Sequence, residues 1–114
     1  MWQPTLVKVV DSNGDMLTIT EVSAGRATAV AGKVTVTTAA TPVSPGSHLC
    51  GPGATFVANA SNTGAIYVYP AAGAKTDVIP LNAGDSLFWP VANTSALLVD
   101  ASVSGESVYW MGAV

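Results

Sequence analysis

Apolar and polar residues in this chain alternate with a period close to two, the spacing that sends successive side chains to opposite faces of a strand. In Lys33-Val34-Thr35-Val36-Thr37, the valines fall on one face and Lys33, Thr35 and Thr37 on the other. The runs Thr5–Val10 and Met16–Val22 flank Asn13-Gly14, two residues that tolerate positive φ, so a hairpin is predicted there. Further strands are predicted over Ala54–Ala60, Ala65–Pro70, Asp85–Val91, Ala96–Ala101 and Ser107–Ala113. Turn residues separate them: Asn62-Thr63-Gly64, Ala72-Gly73, Asn82-Ala83-Gly84, Asn93-Thr94-Ser95 and Ser104-Gly105. Short strands with turn signals every ~8–12 residues predict an all-β fold, an antiparallel β-sandwich or barrel of jelly-roll-like type with an N-terminal hairpin or arm. Helical spacing is scarce. The alanines of Glu21–Val34 could support a helical turn, but Gly25 and Gly32 argue against a long helix.

One stretch does not fit a strand with a single apolar face. In Leu87-Phe88-Trp89, Phe88 points one way while Leu87 and Trp89 point the other, so large apolar groups occupy both faces. Such a strand is expected to be covered on one side by its own sandwich and on the other by a neighbour.

A length of 114 residues suits a single domain that can bury a core without staples. Residues 1–39 read as an arm and hairpin segment and 47–114 as the main sandwich, joined by the Pro- and Gly-bearing stretch 38–47. About forty residues rarely form a core alone, so the first segment is expected to pack on the second.

Charged residues are only 10% of the chain, against about a quarter in an average domain. A weakly charged surface of this kind is commonly an interface. The four bases, Lys8, Arg26, Lys33 and Lys75, are dispersed, which speaks against nucleic acid as a partner. No apolar run approaches the ~18 residues of a membrane span, and the first fifteen residues lack the pattern of a signal peptide. Synthesis in the cytoplasm is the expectation.

Motifs for chemistry fail one by one. Six residues separate Gly25 from Gly32, and Val34 follows Lys33, so no phosphate loop is formed. Asp11, Asn13 and Asp15 resemble the start of a calcium loop, but Gly14 comes too early and no distal Glu follows. One Cys and one His cannot make a zinc site. Cys50 reads as a small core residue rather than a nucleophile activated by His48. Asp77, Asp85 and Glu106 sit beside turns, and Asp100 reads as an outward residue at a strand end. Asn59 and Asn93, although in sequons, read as turn residues. The expectation is no enzyme, no cofactor and no metal.

The aromatics remain: Trp2, Phe56, Tyr67, Tyr69, Phe88, Trp89, Tyr109 and Trp110. Half of them are expected in the core and the others over strand or subunit contacts, since aromatics are enriched at the core of protein interfaces. Trp2, Pro4, Tyr67, Tyr69, Trp89 and Trp110 are the candidate interface residues, with Trp2-Gln3-Pro4 as an arm able to dock on another chain.

The order Ala60-Ser-Asn-Thr-Gly-Ala-Ile-Tyr-Val-Tyr-Pro70, Ile79–Val91 and Ala96–Gly112 is similar to small β-rich structural proteins of tailed bacteriophages. They share an Asn-Thr-Gly turn, a Leu-x-x-Gly-Asp/Glu-Ser turn into a strand, and a Leu-x-Val-Asp-Ala strand before a last hairpin. The likeness covers about residues 47–111. It implies a virion component on the capsid surface, a decoration or cement protein contacting the major capsid protein and its own copies, often as a trimer. The alternative function is a carbohydrate- or receptor-binding β-domain of a phage tail or a bacterial surface protein.

Overall fold

The computed structural model describes residues 28–114, whose regular structure is mostly antiparallel β. The strands are β1 (Ala29–Val36), β2 (Ala54–Ala58), β3 (Ile66–Pro70), β4 (Ser86–Trp89), β5 (Leu97–Ala101) and β6 (Glu106–Ala113). Two single 3-10 turns, Lys75–Asp77 and Thr94–Ala96, lie in the connections. Asn93 caps the second by accepting the N–H of Ser95, so an Asn predicted in a turn acts as its cap.

The strands form two layers. One sheet has the order β1-β6-β2-β4; the other pairs β3 with β5. Single bridges widen the second layer, Val43 beside Val99 on β5 and Leu81 beside Ile66 on β3. Inward side chains of both layers make one core: Val34, Val36, Phe56, Val108 and Trp110 meet Ile66, Val68, Leu97 and Val99. Alternation is visible in the burial of each strand, as in β2, where Ala54, Phe56 and Ala58 are buried and Thr55 and Val57 are half-buried.

From β2 onward each strand lies in the opposite layer to the one before it. The final pair expected as a hairpin is therefore an arch. The turn 102–105 carries the chain from β5 in one sheet to β6 in the other, with Gly105 at φ 85° donating its N–H to Val36 O of β1. Period-two alternation reports which residues face inward and does not tell a hairpin from an arch.

One sequence expectation is corrected around β1. Alanines read as a possible helical turn instead begin an eight-residue strand, because Ala29 to Val36 pair residue by residue with Ala113 to Glu106. Tertiary pairing outweighs the weak helical preference of Ala. β1 is the edge strand of the larger sheet, so residues 29–36 of the predicted first segment pair with β6 of the main sandwich. The predicted hairpin around Asn13-Gly14 and the arm at Trp2 and Pro4 lie outside the described residues.

Gly32 has a specific task in β1. It faces Trp110 across the ladder, and a Cβ built on it would lie 2.5 Å from Trp110 Nε1 and 2.7 Å from Cε2. The indole folds flat over the bare backbone, which lets the largest side chain of β6 enter the core beside a neighbouring strand.

Candidate interaction surface

The outer face of the four-stranded sheet carries exposed apolar side chains. The ladder registers place Ala31, Met111, Thr55 and Phe88 in one row across all four strands. Lys33, Tyr109, Val57 and Ser86 form the next row. Phe88 is 52% exposed and Met111 49% exposed. The small outward residues Ala29, Ala31 and Ala113 leave a shallow apolar hollow of about 570 Å³ beside them. Lys33 supplies the one charge in these two rows, with its ammonium 5.6 Å from the Tyr109 ring centroid.

Leu87 and Trp89 pack partly against the core while Phe88 faces outward, so β4 has large apolar groups on both faces and, among the described residues, cover on only one. Beside the β4 edge, Leu87 and Trp89 join Val78, Ile79 and Asp77 around a second, smaller hollow of about 220 Å³. Among the described residues Trp89 Nε1 is buried without a hydrogen-bond partner. Ile79, at its rim, is 68% exposed.

The predicted aromatic interface set divides. Tyr69 and Trp110 are buried within the chain and present no surface to a partner. Trp110 shares the inward parity of Val108, which sends Tyr109 and Met111 outward, and exposed His48 lies against its indole with centroids 5.1 Å apart. Tyr67 and Trp89 are half-buried. Trp2 and Pro4 lie outside the described residues. Sequence reasoning missed Met111 and the alanines of β1; the parity of Val108 and Trp110 was the available signal for the first.

Asp100 is a correction. It is not an outward strand-end residue open to water but is 2% exposed, with Lys75 Nζ 2.8 Å from Oδ2. Its Oδ1 accepts the N–H groups of Ala40 and Ala101, at 3.0 and 2.7 Å. Ala40 has φ 69°, a left-handed conformation uncommon for Ala, so Asp100 pins a strained turn as well as the 3-10 turn that carries Lys75. Burial pushes the Asp100 carboxyl up, but the hydrogen bonds from Lys75 and the backbone outweigh it and hold the group below its usual range. The Lys75 ammonium is raised, first by its hydrogen bond to Asp100. It also lies 5.5 Å from the Tyr67 ring centroid.

Glu106 is a second clasp. Its Oε2 accepts from the N–H and hydroxyl of Thr63, and its Oε1 accepts the Gly64 N–H at 3.0 Å. The Thr63 backbone N–H is the foremost reason its carboxyl is held below the usual range. Asp85 caps its own turn by accepting the Asn82 N–H.

The buried carboxylates are engaged by structural partners: Asp100 ties two loops to β5, and Glu106 ties the turn at Thr63 and Gly64 to β6. Cys50 is fully buried, its thiol 3.4 Å from Val91 O, and burial pushes its pKa up. Among the described residues no group of three or more His, Cys, Asp or Glu gathers to hold a metal ion. No helix among them is long and apolar enough to cross a membrane. No family model, no curated protein and no solved structure matches this chain.

Proposed function

We propose that this chain is a non-enzymatic structural protein of a tailed-phage virion, a decoration or cement protein that binds neighbouring subunits on the capsid surface. The carrying observation is the distribution of charge. Of the side-chain charges in the described domain, Asp100 and Glu106 are internal and Lys75 is spent on Asp100. Lys33, Asp77 and Asp85 remain exposed. An outer surface of Ser, Thr, Ala, Pro and exposed Leu49, Ile79 and Val103 suits repeated, weakly salt-sensitive contacts. Shell symmetry multiplies such contacts, so none needs to be strong alone. The resemblance of residues 47–111 to phage structural proteins supplies the setting.

The experiment is proteomic and hydrodynamic. Intact virions purified from the source culture should contain this chain in stoichiometric amount, and the isolated protein should keep one oligomeric mass, a trimer, across a dilution series. Virions without the chain overturn the reading. A monomer that retains a glycan in an array screen would favour the receptor-binding alternative. The spot that favours it is Tyr109, where an exposed ring sits between Lys33 and the Asn59 amide.

A further inference from the structure

The hollowed outer face of the β1-β6-β2-β4 sheet has dimensions that limit what can cover it. Four strands ~4.8 Å apart over a shared run of four residues at ~3.4 Å each make a patch of about 19 by 14 Å. That is roughly 260 Å², well under the ~800 Å² per partner of a standard stable interface. Two copies pressed together on this face alone would not hold. A two-stranded ribbon of six or seven residues per strand has the matching size.

The sequence predicts such a ribbon. Thr5–Val10 and Met16–Val22 flank Asn13-Gly14, and Leu17 and Ile19 alternate with Thr18 and Thr20. The chain also enters the domain at the correct place. Thr28 exchanges two backbone hydrogen bonds with Val114, next to Ala29, Ala31 and Ala113 at the rim of the hollow. The five residues Ser23 to Ala27 span up to ~17 Å. From β1 to β4 the face is about 14 Å wide, so the tether can fold a ribbon back over it.

Charge points the same way. Five of the eleven charged residues, Lys8, Asp11, Asp15, Glu21 and Arg26, precede residue 28, although that segment is under a quarter of the chain. A cover needs one apolar side for the sheet and one polar side for water, and the sheet face itself lacks the latter. A short tether also gives the segment an effective concentration of order millimolar, which favours the same chain over any neighbour in dilute solution.

We propose that the outer face of the four-stranded sheet is the seat of the same chain's residues 5–22, whose apolar side chains fill the hollow between Phe88 and Met111. The cover hides the second apolar face of β4. It leaves the surface around Leu49 and Ile79 for other partners and does not depend on what those partners are.

The test is amide hydrogen exchange on the full chain. Amides of residues 5–10 and 16–22 should exchange at least about ten-fold slower than coil, at a level unchanged by dilution. Phe88→Lys and Met111→Lys, both at exposed positions, should return those amides to coil rates. In the same samples β5 amides should keep their protection, which shows that the sandwich is intact. Ile79→Lys, equally exposed but off this face, should leave the segment protected. Coil-like exchange in the parent chain overturns the proposal, and so does protection that survives both lysines. Protection that is lost on dilution in step with native mass overturns it as well, because a neighbour's segment or a second copy is then the cover.

Discussion

Replacing Gly32 by Ala isolates one contact on which the packing of the larger sheet depends. The added methyl would sit 2.5, 2.7 and 2.9 Å from three atoms of the Trp110 indole, distances at which something must move. Trp110 is 2% exposed, held by core neighbours on one side and His48 on another, so it cannot swing aside as a surface side chain would. Forcing one methyl into a filled site costs about 1–3 kcal/mol. For a domain of this size each kcal/mol lowers Tm by roughly 4–8 °C, so a fall of about 5–20 °C is expected. The sign is informative, because Gly→Ala in an open strand stabilises by ~0.4–1 kcal/mol through the unfolded chain. Urea unfolding followed by tryptophan fluorescence and by circular dichroism gives the value. A double-mutant cycle with Trp110→Leu locates it: in that background the Gly32→Ala cost should largely vanish. A Gly32→Ala protein as stable as the parent, or more so, would refute the claim that the indole needs a bare backbone beneath it.

The remaining predictions concern the two clasps and the thiol. Asp100 and Glu106 are held below their unfolded pKa values, so the unfolded chain binds protons at higher pH than the folded one. Their contribution is therefore complete above about pH 4.5 and is lost as pH falls through the depressed values, which a series of urea midpoints will show. Glu106→Gln should lower stability at neutral pH and flatten the acid limb by up to one proton taken up on unfolding. Lys75→Met should do more than weaken the fold: with its cation gone, burial raises the Asp100 carboxyl, and stability should rise on mild acidification where the parent's does not. A parallel acid limb in that variant would show that Lys75 is not what keeps Asp100 ionised. Cys50, buried with a raised pKa, should resist a thiol reagent at pH 8 in the folded protein and react fully in urea. Rapid labelling of the native chain would contradict its placement in the core.

The sequence by itself determined the strands and which side of most of them turns inward. Val34 and Val36, Phe56 between Ala54 and Ala58, and Val99 follow the period-two pattern because a half-buried strand has no other way to segregate apolar groups. It also determined the shortage of charge, which is a property of composition. The tertiary structure alone decided how the strands are joined. Arches and hairpins share the same alternation, so the alternate layering of β2 to β6 was invisible until the pairing was known. It alone decided the fate of single side chains whose partners are distant in sequence. Asp100 is internal because Lys75 and Ala40 reach it from separate loops, and Trp110 rather than Tyr109 enters the core because Gly32, 78 positions earlier, leaves room for the indole. Such contacts depend on long-range register, and one strand's pattern does not encode which residue of another strand will stand opposite it.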